Sequence, residues 1–131
     1  VVFDSPLTML CDTPSHYLAD VPCTEFITSI PTVFEQTHII AGQIGEYIVT
    51  TREKDGKWYV GALTNWDERE VIINLSFLEK GKQYTAKLLA AADSSVKPEK
   101  YKISTIDVDS ASEILVKLAK GGGAALIIEA K

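Results

Sequence analysis

From residue 32 onward, apolar positions recur with a period of two. Thr32–Ile40, Glu46–Glu53, Lys57–Thr64 and Glu70–Ser76 read as consecutive strands, and Gln83–Ala91, Tyr101–Val108, Glu113–Leu118 and Ala124–Glu129 follow. Gly42, Asp55-Gly56, Asn65-Trp66-Asp67, Lys80-Gly81-Lys82 and Gly121-Gly122-Gly123 punctuate the series. About eight short strands with no helices between them predict a mainly β protein, an antiparallel Greek-key-like β-sandwich. The polar stretch Asp93–Lys100 reads as a surface loop.

Residues 1–31 follow a different rule. Ser5-Pro6 and Thr13-Pro14 each place a capping residue before a proline, which predicts short helices at about 6–11 and 14–19. Pro22-Cys23-Thr24-Glu25 opens a third helical turn that ends at Pro31. Helices this short need something to pack on. Phe3, Leu7, Leu10, Tyr17, Phe26 and Ile30 offer more apolar surface than one sheet edge uses. The chain therefore divides at 1–31 and 32–131. The apolar start Val1-Val2-Phe3, with no Met and no leader pattern, reads as a cut through a longer polypeptide.

Asp55-Gly56 between two β-branched and aromatic runs predicts a hairpin. A two-residue loop sets Glu53 opposite Trp58, whereas a three-residue loop with a bulge sets Arg52 there; the sequence allows both. A hairpin with one wet face would alternate cleanly. Tyr47, Ile48 and Val49, with Trp58, Tyr59, Val60 and Leu63, instead predict cover on both sides.

Composition narrows the function. The 131 residues, 46% hydrophobic and 24% charged, suit an ordinary globular fold. A net charge of −5 offers no basic stripe for nucleic acid and no attraction to an anionic membrane surface. No apolar run approaches the ~20 residues of a membrane span. Cys11 and Cys23 read as two small buried thiols, joined only in an oxidising compartment. Two cysteines without clustered histidines do not suit zinc.

None of the usual catalytic patterns is present. His16 and His38 stand apart, without a nucleophile motif beside either. Asp107-Val108-Asp109 begins like a calcium loop, but Ser112 and Leu118 occupy the positions that need Gly and Glu. Asp4, Asp12, Glu35, Glu46 and Asp67 show no spacing that implies a glycosidase pair. Gly121-Gly122-Gly123 precedes a strand rather than a helix N-terminus, so it is no phosphate cradle. Trp58, Tyr59 and Trp66 could stack a sugar ring, although aromatics in a sandwich more often fill cores or interfaces.

Several stretches together resemble glycoside hydrolase family 97. Asp4-Ser5-Pro6-Leu7-Thr8-Met9-Leu10 is similar to a "SPLQM" stretch in that family's last barrel helix. Ile30-Pro31-Thr32-Val33-Phe34-Glu35-Gln36-Thr37 resembles its entry into the C-terminal domain, with Phe34 and Glu35 where Trp and Asp are usual. Gly45-Glu46-Tyr47, Lys57-Trp58-Tyr59-Val60-Gly61, Thr64-Asn65-Trp66-Asp67 and Leu75-Ser76-Phe77-Leu78 match the "GEY…WYVG…TNWD…LSFL" signature in order.

The resemblance implies a three-part bacterial enzyme, periplasmic or secreted, that cleaves α-linked glucosides or galactosides. An N-terminal sandwich, a catalytic (β/α)8 barrel holding calcium, and a C-terminal β-domain make up such a chain. This sequence would be the barrel's end plus the last domain, with no catalytic residue, cofactor or metal of its own. Its expected partners are the barrel of the same chain and further copies in a homo-oligomer. Phe3, Leu7, Leu10, Tyr17, Phe26, Tyr47 and Trp58 are the candidate contact residues. The alternative is a carbohydrate-binding module using Trp58, Tyr59 or Trp66.

Overall fold

The computed structural model describes residues 1–5, 9–91 and 101–131. Two short helices, α1 (Pro14–Ala19) and α2 (Val21–Thr28), precede eight strands: β1 (Gln36–Gln43), β2 (Tyr47–Lys54), β3 (Lys57–Thr64), β4 (Arg69–Asn74), β5 (Tyr84–Ala91), β6 (Tyr101–Val108), β7 (Glu113–Leu118) and β8 (Gly123–Ala130). All pairings are antiparallel. Six strands form one sheet in the order β1-β2-β3-β8-β5-β6, and β4 and β7 form a second. The chain leaves the large sheet after β3, returns for β5 and β6, leaves again for β7, and inserts β8 between β3 and β5.

The predicted strands are all present, with shifted ends. β1 begins at Gln36 rather than Thr32, because Phe34 turns onto the sheet while the Glu35 N–H donates to the Glu53 carbonyl. Met9, Leu10 and Cys11 are not helical, which corrects the expected helix at 6–11; its remaining residues, and the loop at Asp93–Lys100, lie outside the described residues. α2 starts one residue before its proline because the Asp20 carboxylate accepts the Cys23 N–H at its first turn.

The hairpin takes the two-residue loop. Glu53 opposes Trp58 and Lys54 opposes Lys57, while Asp55 (φ 52°) and Gly56 (φ 75°) both take the left-handed conformation of a type I′ turn. The Glu53 carboxylate accepts the Gly56 N–H at 2.7 Å and so fixes the turn.

The large sheet is covered on both faces. On one, Val49, Val60, Ala62, Leu126 and Ile128 meet Val71, Ile73, Ile114, Val116 and Leu118 of the small sheet. On the other, Tyr59 and Ile127 pack against Phe26 of α2, with Val1, Ile30 and Phe34 beside them. Alternate residues of β3 therefore serve two cores, with Trp58, Val60 and Ala62 in one and Tyr59 in the other.

Candidate contact surfaces

Val1, Val2, Phe26, Ile30 and Phe34 lie on the second face of the sheet, and one buried cation ties the start of the chain to it. Arg52 opposes Tyr59 in the register of β2 and β3 and points into this face. Its guanidinium donates to Asp4 Oδ1 at 3.1 Å and to the Val2 carbonyl at 3.2 Å, and it lies 5.1 Å from the Phe34 ring centre. Phe34 meets Tyr59 edge-on. Gly61 leaves the room that Val1 and Val2 fill: a Cβ there would come within 2.8 Å of Val2 Cγ2. Farther along, the Tyr101 hydroxyl donates to the Asp20 carboxylate, tying β6 to the start of α2. That bond holds the Tyr101 phenol up at about 12. Burial pushes the Tyr59 phenol upward as well.

The outer side of this N-terminal layer stays apolar. Phe3, Met9, Leu10, Leu18, Val21, Ile27 and Val33 are exposed, seven of the twelve large apolar side chains that are exposed among the described residues. Phe3, Met9, Leu10 and Ile27 line a shallow groove of about 340 Å³ with Ile30 and Pro31.

A second surface lies where the β2–β3 hairpin opens. Arg69 gathers three segments: its Nη1 donates to Glu46 Oε2 at 2.9 Å, its Nη2 to Asn65 Oδ1 at 3.1 Å and its Nε to Thr64 Oγ1 at 2.8 Å. The guanidinium also lies 5.1 Å from the centre of the Tyr47 ring. Asn65 completes the brace, donating its N–H to the Glu46 carbonyl and its Nδ2 to the Gly45 carbonyl, while its own carbonyl accepts the Gly121 N–H. Trp66 projects from this clamp at 82% exposure.

The residues marked from the sequence separate accordingly. Phe3 and Leu10 present free surface, and Leu7 lies outside the described residues. Tyr17 is half-buried, its hydroxyl accepting the Asp12 N–H. Phe26 is 1% exposed, its surface taken by the chain's own sheet. Tyr47 lies half-buried beneath Arg69, and Trp58 is half-buried against Phe77, ring centres 4.9 Å apart. Of the three aromatics considered for sugar stacking, Tyr59 is buried and only Trp66 has an open ring. Sequence reasoning missed Arg52, whose partners lie about fifty positions away, and Arg69, whose brace needs Glu46 of the preceding hairpin as well as its neighbours Thr64 and Asn65.

Other motifs have structural uses. Asp109 accepts from Ser112 Oγ and the Ala111 N–H, closing the turn between β6 and β7, and Asp107 pairs with Lys131. His16 pairs with Asp12. Both thiols are free, and against the expectation of burial Cys11 is exposed and Cys23 only half-buried. Among the described residues no cluster of His, Cys, Asp and Glu could hold a metal ion, and no helix is long and apolar enough to cross a membrane.

A family model described as glycosyl-hydrolase 97 C-terminal, oligomerisation, matches residues 33–129. The chain belongs to this family. A retaining alpha-galactosidase of Bacteroides thetaiotaomicron is 42% identical over 130 residues, which cover 98% of this chain and 20% of the relative. Among solved structures, a variant of a glycoside hydrolase family 97 enzyme from Pseudoalteromonas sp. strain K8, in complex with panose, superimposes with a TM-score of 0.86 at 30% identity, covering 92% of this chain and 20% of that one. A beta-arabinopyranosidase shares the fold at a TM-score of 0.68 and 24% identity, covering 88% of this chain and 18% of that one. The chain thus spans about a fifth of the relatives it matches. The family 97 C-terminal domain is here an antiparallel sandwich of eight strands, as its alternating pattern predicts.

Proposed function

We propose that this chain is a non-catalytic contact domain of a family 97 α-glycosidase. In this reading residues 1–31 are the end and connector of the catalytic barrel, residues 32–131 are the domain itself, and the chain also supports assembly of copies. The apolar outer side of the N-terminal layer carries the reading. Exposed large apolar side chains concentrated in one layer mark a protein contact more often than a free surface. In the relatives, about four-fifths of the polypeptide lies outside the matched part, and it is the natural cover for this layer.

Substrate chemistry and the calcium implied by the resemblance belong to that other part, as does a periplasmic or secreted location. A carbohydrate-stacking role would rest on Trp66 alone, the one open ring of the three.

Replacing the matching fifth of the Bacteroides α-galactosidase with this chain tests the reading. The chimera should fold and hydrolyse nitrophenyl α-galactoside, and the isolated chain should not. Exchanging Phe3, Leu10 and Ile27 for serine should lower the melting temperature of the chimera but not that of the isolated chain. Turnover by the isolated chain, or a chimera indifferent to the three serines, overturns it.

A further inference from the structure

We propose that the braced end of the sandwich bearing Trp66 and Ile44 is the surface through which two copies of this chain associate. This rests on the contact-domain reading and names the patch that self-association would use.

Ile44 and Trp66 are the two most exposed large apolar side chains among the described residues, at 104% and 82%. They sit on neighbouring loops that Asn65 and Arg69 cross-link. Trp66 also rests on its own chain. One side of the indole lies on Gly121, where a Cβ would come within 3.0 Å of the ring, and the rest of it faces outward. Gly121 has φ 63°, so the turn under the ring suits glycine on two counts. A large aromatic already seated on one side loses less freedom on docking than one free on all sides, which suits an interface anchor.

The same end supplies a receptor. A groove of about 490 Å³ runs beside Ile44, lined by Ile39, Tyr47, Ile48 and Leu63 and bounded by Asn65 of the tryptophan loop. Knob and hole on one patch are self-complementary, so a twofold axis would place each Trp66 in the other copy's groove and close the assembly at two. The charges follow the same logic. Asp67 and Glu68 flank Trp66, Lys120 adjoins Gly121, and among the described residues none of the three forms an ion pair. A twofold sets the acids of one copy against the lysine of the other.

A second copy is favoured over a sugar for two reasons. The amide and guanidinium that brace the tryptophan loop, on Asn65 and Arg69, are already bonded within the chain, and the adjoining groove is lined largely by apolar side chains. The family's description as an oligomerisation domain points the same way.

Sedimentation velocity of the 131-residue chain over a range of concentrations tests this. The wild type should dimerise. Trp66→Ala and Ile39→Asp should each weaken the dimer by about 30-fold or more, with far-UV circular dichroism unchanged. Lys120→Glu should weaken it by about tenfold, and adding Glu68→Lys should restore it. Ile72→Glu, on the exposed outer face of the small sheet, should change nothing. A wild type that stays monomeric defeats the association part of the contact-domain reading and this proposal with it. A dimer untouched by both Trp66→Ala and Ile39→Asp, or broken by Ile72→Glu instead, overturns the patch and leaves self-association standing. Calorimetric heat with maltooligosaccharides that disappears in Trp66→Ala gives the platform to sugars and overturns the proposal.

Discussion

Arg52 and Asp4 form an ion pair of unequal partners. The arginine side chain is 4% exposed and the aspartate 87%, across a contact of 3.1 Å. The cation is buried by the layer it holds, and its carboxylate reaches in from solvent. Arg52→Ala should cost about 2 kcal/mol, because it removes the contact to Asp4, the contact to the Val2 carbonyl and the stack on Phe34 together. Arg52→Lys should recover part of that loss, since an ammonium cannot reproduce the flat fork. Asp4→Asn should cost much less, its charge being largely screened by water. Urea unfolding of the three variants checks the order; equal losses from Asp4→Asn and Arg52→Ala would contradict it.

Gly61 and Gly123 should fail in different ways. A Cβ on Gly61 meets side-chain atoms of Val1 and Val2, which can move away. Gly61→Val should therefore lift the N-terminal segment and leave the sandwich folded. A Cβ on Gly123 meets the Ala62 carbonyl oxygen at 2.6 Å, within the sheet itself. Gly123→Ala should lower the melting temperature of the whole chain. Limited proteolysis read by mass spectrometry distinguishes them: early cuts near the N-terminus in the first variant, and general loss in the second. Unchanged cleavage of Gly61→Val would mean that the segment does not depend on this seat.

Tyr101 should ionise late. Its bond to Asp20 favours the neutral phenol and holds it up at about 12, above the ordinary tyrosine value of about 10. A raised value in the folded state means that the unfolded chain releases the proton first. The bond's contribution to stability is therefore complete below pH 10 and fades as pH rises toward 12. Absorbance at 295 nm should show a late phenolate component that is lost in Tyr101→Phe and moved to lower pH in Asp20→Asn. A Tyr101→Phe titration identical to wild type would refute this.

The two thiols should react at different rates. Cys11 is exposed, whereas Cys23 is half-buried and its thiol is pushed up by burial and by the Asp20 carboxylate. Iodoacetamide at pH 8 followed by peptide mapping should label Cys11 first, and Asp20→Asn should narrow the gap. Faster labelling of Cys23 would contradict both effects.

The sandwich was legible because each strand states its own pattern. Asp55-Gly56 announced a hairpin that the structure closes with two left-handed residues, and the apolar run on β2 and β3 announced two covered faces. The choice of loop was not legible. It rests on a side-chain bond from Glu53 and on pairing set along the whole strand. The braces were hidden for a similar reason: Arg52 joins residues about fifty positions apart, and Arg69 matters through Glu46 and Asn65. The helix expected at 6–11 failed over Met9–Cys11 because a capping pair starts a helix only where packing sustains it. Trp66 could be named from sequence as an exposed candidate. Its seat on Gly121 depends on the distant turn that precedes β8.

The two-sided sheet also separates heredity from folding. The family pattern starts at residue 33, yet Phe26 and Ile30, which shelter Tyr59 and Ile127, lie ahead of it. A gene cut at the family boundary would release a sandwich with one face stripped. The stretch that the family pattern recognises is thus shorter than the stretch that buries both faces of the sheet. A shuffled descendant would have to inherit those upstream residues, or find a replacement for them, before the domain could be reused elsewhere.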